Sequence, residues 1–195
     1  MNVNATLIRH ERQTVLRGQE EIKTYDFNQV NKVAQAASEE IEEFLLSLPG
    51  TMKVVNVEKD RMYQGVDIDL LWYVRSKKDG KIVKKAIEIK GDRYYHTGNY
   101  FFETVSNMNK NTPGCFLITE SDYIFYYFVD QKELHIIPTL ETRQWFLENQ
   151  NRFSESKTST SSSNGLLYAS LGRKVPIRVV RANCNIPIID IKPYI

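Results

Sequence analysis

Two short segments hold side chains that could act on a phosphodiester. Asp67 and Asp69 alternate in Gly65-Val66-Asp67-Ile68-Asp69-Leu70-Leu71-Trp72, and Glu88 and Lys90 alternate in Ala86-Ile87-Glu88-Ile89-Lys90. Magnesium takes hard oxygen ligands, commonly one or two carboxylates, and leaves its other positions to water and a substrate phosphate. Asp69 and Glu88 are such a pair, and the backbone carbonyl of Ile89 adds a third protein oxygen. A metal held there acidifies a water for attack on phosphorus, and Lys90 is placed to orient that water or to stabilise the developing oxyanion. Asp67 is a further candidate ligand, and so is Glu40 from the preceding helix.

Acid-x-Lys alone means little, because six such tripeptides occur in this chain. The setting of Glu88 distinguishes it. Met52 to Glu58, Gly65 to Arg75 and Lys81 to Lys90 are rich in β-branched and apolar residues and read as three strands. Asp79-Gly80 between the last two suits a two-residue type I′ turn. That turn would put Asp69 opposite Lys90 and Leu71 opposite Glu88. Strand alternation then sends Asp67, Asp69, Glu88 and Lys90 to one face, and Ile68, Leu70, Trp72, Ile87 and Ile89 to a core face. The competing reading is a solvated cross-strand ion pair between Asp69 and Lys90.

The elements that must position these residues begin with an amphipathic helix over about Asp26 to Leu48, where Val30, Val33, Ala37, Ile41, Phe44 and Leu48 recur at helical spacing. Asp26 is placed to cap it, and Pro49-Gly50 to stop it. A second helix is expected from about Thr97-Gly98-Asn99, with Phe101, Phe102, Val105 and Met108 inward and Tyr100, Glu103 and Asn107 on a polar face turned toward substrate. Cys115 to Thr119, Tyr123 to Val129 and Leu134 to Ile137 read as further strands, and Arg143 to Asn149 as a helix. Ser154 to Gly165 is so rich in hydroxyls that a mobile loop is expected. A basic extension, 166–195, follows. The whole reads as one mixed α/β domain with a core at about 26–150.

From Asn151 to Ile195 there are seven basic and two acidic residues, a balance of +5 in a chain whose net charge is +2. Arg173, Lys174, Arg178 and Arg181 are therefore candidates for a phosphate backbone. Arg93, Tyr94 and His96, just beyond Lys90, mix cationic and aromatic contacts suited to nucleic acid. Cys115 and Cys184 lack zinc or disulfide spacing and are expected to be buried thiols. The absence of a long apolar run points to a cytoplasmic protein.

The Asp67/Asp69 segment, the hairpin and the Glu88-Ile89-Lys90 strand resemble the PD-(D/E)XK superfamily of restriction-endonuclease-like nucleases and Holliday junction resolvases. The resemblance runs from about Asp26 to Val129, and no proline precedes either aspartate. It implies an αβββαβ core with a mixed central sheet, and an active site of Asp69 or Asp67 with Glu88 and Lys90. It also implies magnesium- or manganese-dependent hydrolysis of DNA, with a homodimer where both strands are cut. Two alternatives stay open: an RNA-directed nuclease of the same fold, and a non-catalytic DNA-binding or assembly subunit.

Overall fold

A computed structural model describes residues 22–163 and 165–195. Among the described residues, sixteen strands and α-helices follow one another: β1 (Lys23–Asp26), α1 (Phe27–Ser47), β2 (Thr51–Asn56), α2 (Arg61–Gln64), β3 (Leu70–Arg75), β4 (Ile82–Asp92), β5 (Asn99–Asn107), β6 (Thr112–Pro113), α3 (Cys115–Ile118), β7 (Tyr123–Phe128), β8 (Glu133–Pro138), α4 (Thr139–Asn149), β9 (Glu155–Ser162), β10 (Gly165–Pro176), α5 (Ile177–Asn183) and β11 (Ile188–Asp190). They build two mixed sheets, ordered β11-β8-β7-β4-β3-β2 and β1-β9-β10-β5-β6. The fold is mixed α/β. Among the described residues, no helix is long and apolar enough to cross a membrane.

Helix α1 forms as its sequence dictates. The Asp26 carboxylate accepts the Gln29 N–H at 3.0 Å, satisfying one of the free donors of the first turn. The helix ends at Ser47, just before Pro49-Gly50. Its buried stripe of Ala37, Ile41, Phe44 and Leu45 packs on Leu70, Ile87, Phe125, Tyr127 and Leu134 of the first sheet. Each large side chain so buried contributes about 1.5–3 kcal/mol. Close approach depends on Gly91, where an added Cβ would lie 2.9 Å from the Ala37 Cβ.

The expected second helix is instead strand β5. Tyr100, Phe101, Phe102, Thr104 and Val105 all favour extended backbone, and their cross-strand partners on β10 decide the matter. Tyr100 and Phe102 point to one side of the strand and are buried, whereas Met108, beyond its end, is exposed. Tyr100 is thus core, with its hydroxyl 2.6 Å from His135 Nδ1, while His135 Nε2 lies 2.7 Å from Glu133. Asn107 closes a turn by accepting the N–H groups of Asn109 and Lys110. Cys115 to Ile118 is a short helix, and Cys115 is only half-buried.

The serine-rich stretch is strand β9, paired with both β10 and β1. Its hydroxyls find partners, as in the 2.7 Å bond between Thr24 and Ser159, so few apolar residues are needed to hold it. The extension beyond it is integral: Val175, Val180, Cys184 and Ile186 lie in the core with Phe116, Tyr126 and Phe146.

Candidate active site

The hairpin joining β3 to β4 sets the geometry, and its turn is longer than two residues. A type I′ turn needs positive φ at both central positions. Gly80 has φ +71°, whereas Asp79 is not among the residues with positive φ. The chain turns over Ser76 to Lys81, closed by Ser76 N–H to the Lys81 carbonyl (2.7 Å) and Gly80 N–H to the Ser76 carbonyl (2.9 Å). Register moves by two residues, so Leu70 faces Ile87 and Leu71 faces Ala86. Carried one step further, this pairing sets Asp69 beside Glu88 rather than Lys90.

Strand β3 starts at Leu70, so β4 runs on past Ile87 without a full partner on that edge. Asp69 covers the start of this free edge. Its Oδ2 accepts the Ile89 N–H at 2.7 Å, and its own N–H donates to the Ile87 carbonyl at 2.9 Å. In an extended strand a residue's N–H and C=O point toward the same neighbour, so the Ile89 carbonyl leaves β4 on the Asp69 side. Asp67, just outside the strand, has φ +45°, a conformation that Asp tolerates better than most residues. Its carbonyl is held by the Thr119 hydroxyl at 2.5 Å. Arg143 in turn donates to the carbonyls of Phe116 and Thr119.

Asp69 and Glu88 are close enough to share a hydrogen bond. Burial, followed by the negative charges of Glu58 and Asp67, pushes Asp69 up to about 6, against the lowering effect of the Ile89 N–H and the Glu88 bond. Glu88, only 9% exposed, is raised well above the ordinary glutamate range by burial, then by Asp69 and Asp67. The shared proton therefore sits on Glu88. Asp67 is raised by burial and by Glu103, with Lys90 opposing.

Lys90 stands at the base of the cleft on the same face as Glu88. Cys115, Glu103, Glu88 and Asp92 hold its ammonium above its ordinary range, against burial. Burial pushes the Cys115 thiol up to about 12, with Lys90 opposing, so Cys115 is neutral at pH 7 and the carboxylates carry the effect. Among the described residues Lys90 forms no ion pair within 4 Å. A buried charge is costly without a partner, and the carboxylates of Glu103, Glu88 and Asp92 offset that cost for Lys90 from beyond contact distance.

Strand β5 brings Glu103 to this site. Gly114 permits it, because its N–H donates to the Thr104 carbonyl at 2.9 Å and an added Cβ would lie 2.3 Å from the Glu103 carbonyl oxygen. Cys115 and Asp92 are the site neighbours that the motif did not signal. Asp92 anchors the loop after β4 by accepting the Tyr94 N–H (2.7 Å) and the Tyr126 hydroxyl (2.5 Å). Glu103, expected on the polar face of a helix, reaches the site from a strand instead, while of the same expected face Tyr100 is core and Asn107 closes a turn.

Glu40 lies elsewhere. It pairs with Lys132 and Tyr127 on the α1 face of the sheet, away from the face that carries Glu88 and Lys90. Arg93 pairs with Asp130 at 3.4 Å, and His96 is exposed near Tyr94. Arg173 is bound to the Phe153 carbonyl at 2.8 Å and to Glu155 at 3.2 Å. Arg178 and Arg181 are exposed on α5, whereas Lys174 lines the cleft.

The cleft has a volume of about 980 Å³ and lies between the C-terminal half of β4, the start of α1, and strands β1, β5, β9 and β10. Glu88, Lys90 and Glu103 are at its base. Among the described residues, no three His, Cys, Asp or Glu side chains form a ready metal shell. The donors at Asp69 and Glu88 are hard oxygens, and a divalent cation would take the place of the proton they share. With the Ile89 carbonyl they match the modest protein share that magnesium takes.

Comparison with protein-family models, with curated proteins and with solved structures finds no match to this chain.

Proposed function

We propose that this chain is a metal-dependent nuclease hydrolysing phosphodiester bonds in DNA, with Asp69, Glu88 and Lys90 as its reactive set. The observation that carries the reading is the hydrogen-bonded Asp69–Glu88 carboxyl pair, whose Glu88 member lines a large cleft together with an unpaired Lys90 ammonium. An ion pair made only for stability would bring the lysine into contact with a carboxylate, whereas here burial and then the neighbouring Asp69 charge raise the proton affinity of Glu88.

Asp69 and Glu88 would hold magnesium or manganese, with the Ile89 carbonyl and Asp67 as further oxygens. The cation, when bound, supplies charge neutralisation and an acidified water. Glu88 gives up its proton on binding, as any carboxylate ligand must. The Ile89 N–H fixes one oxygen of Asp69, which leaves the other free to act. Lys90 receives a non-bridging phosphate oxygen and stabilises the charge that grows there in the transition state. Glu103 and Asp92 keep that lysine protonated.

The test is cleavage of plasmid and linear DNA in magnesium, in manganese and in excess chelator. Metal-dependent, chelator-sensitive cleavage that disappears in Glu88→Gln is the expected result. Cleavage that persists in Glu88→Gln would falsify the assignment. The position of Asp69 as cap of the Ile89 N–H also suits a DNA-binding subunit without catalysis, for which a calorimetric magnesium titration would show no binding.

A further inference from the structure

We infer that the substrate enters this cleft as a single strand, with a base laid against the Tyr25–Tyr94 pair while its phosphate reaches Lys90. The inference rests on the nuclease reading for its chemistry, and on different residues for its binding.

The walls of the cleft come from two sheets and the start of α1, so its width is fixed by backbone. Its volume of about 980 Å³ sits at the top of the roughly 300–1,000 Å³ range of pockets that engulf small molecules. That space suits a few nucleotides of one chain. In a duplex the base faces are covered by their stacked neighbours, so a base could reach a side-chain ring there only after leaving the stack. Glu88 and Lys90 are at the base, so a scissile phosphate must come in to meet them.

One wall is aromatic. Tyr25 and Tyr94 stand 5.7 Å apart at 54°, and Lys23 Nζ lies 3.5 Å from the Tyr94 ring centroid and 5.3 Å from that of Tyr25. Lys23 thus covers one face of Tyr94; its flexible stem lets the ammonium turn to a phosphate and give that face to a base, and any base can stack there because every base has a π-face. The same wall continues in Ser156, Thr158 and Thr160 of the hydroxyl-rich strand β9, whose pairing with β1 sets Thr158 beside Lys23 and Thr160 beside Tyr25. These are short donors and acceptors that can meet sugar or base edges without selecting a sequence. Lys157 and Lys174 add cations at the rim. Cations, aromatic faces and hydroxyls lining one groove are the elements of single-strand binding.

The experiment measures binding by fluorescence anisotropy in calcium, using the full chain, a labelled 12-nucleotide single strand and a blunt hairpin duplex. The expected result is single-strand binding at least tenfold tighter than duplex binding. Tyr94→Ala and Tyr25→Ala should each weaken the single strand about tenfold, which is 1.4 kcal/mol, and leave the duplex unchanged. Tyr94→Phe, which keeps the ring, should restore binding and so exclude a folding defect. Equal affinity for both DNAs, or tyrosine variants that bind the single strand normally, would overturn the inference even if magnesium-dependent cleavage is found. Single-strand binding that depends on the tyrosines, in a protein that cleaves nothing, would support the cleft and sink the nuclease reading instead.

Discussion

Asp69 lies across the hairpin from Glu88, and the two carboxyls share a hydrogen bond while Asp69 Oδ2 also accepts the Ile89 N–H at 2.7 Å. This brings two acids together with no cation of their own in contact. Burial raises the proton affinity of both, while their mutual hydrogen bond raises Glu88 and lowers Asp69, so each is sensitive to changes in the other. Glu88→Gln removes one negative charge while keeping the shape. It should lower cleavage by orders of magnitude and weaken magnesium binding, with the circular dichroism spectrum unchanged. Lys90→Ala should lose turnover yet keep metal binding, because its role lies with the phosphate.

The proton affinity of Asp69 gives a stability signature. Its carboxyl is raised from 3.8 to about 6, so between those values the folded chain holds a proton that the unfolded chain has lost. Unfolding free energy therefore falls as pH rises through that window and stays lower above it. Asp69→Asn abolishes this loss and can still accept the Ile89 N–H. At pH 7 it should be more stable than the parent by on the order of 1–3 kcal/mol, and at pH 4 nearly equal to it. Thermal melts at the two pH values check this. A melting point at pH 7 that drops would show Asp69 to be a structural cap.

Metal binding should follow the same titration from the other side. Because carboxylates bind in their charged forms, magnesium affinity should fall steeply as pH drops below about 6. Calorimetry in two buffers of different ionisation heat should show protons released on binding at pH 7. No proton release would mean that Glu88 is not a ligand. Asp67→Asn, one step further from Glu88, should keep a measurable fraction of both binding and cleavage.

The basic end divides by its contacts. Arg173 is engaged with Phe153 and Glu155, whereas Lys174 is exposed at the cleft. Lys174→Ala should flatten the salt dependence of DNA binding by about one unit of slope. Arg173→Ala should leave that slope unchanged and lower the melting temperature. The opposite assignment of slope and stability would place the phosphate contact on Arg173.

Much of this was legible in the sequence where local rules act alone. The cap at Asp26, the stripe of α1 and the alternation that separates Glu88 and Lys90 from Ile87 and Ile89 all follow from spacing. The register did not, because Asp79-Gly80 satisfies a turn rule that the longer loop from Ser76 does not use. Residues 99–107 offer both a helical and an alternating apolar pattern, and pairing with β10 selects the strand. The hydroxyl-rich β9 carries too little apolar area to be recognised alone. It is held by its neighbours β1 and β10, which lie far away in sequence.

Gly114 provides a test of whether Glu103 belongs to the site. An added Cβ would meet the Glu103 carbonyl oxygen at 2.3 Å and the Thr104 nitrogen at 2.7 Å, both backbone atoms that cannot swing aside. Gly114→Ala must push α3 away from β5, and with it Cys115 from Lys90 and Glu103. Steric insertion at such a contact costs about 1–3 kcal/mol, which should lower the melting temperature by several degrees. Turnover should fall further than that loss of folded protein explains when assayed well below the melting point. Glu103→Gln leaves the backbone in place, removes one of the charges that keep Lys90 protonated, and should lower turnover with little change in stability. If Gly114→Ala melts early but the surviving folded enzyme turns over normally, and Glu103→Gln is also fully active, then β5 is only a wall of the cleft.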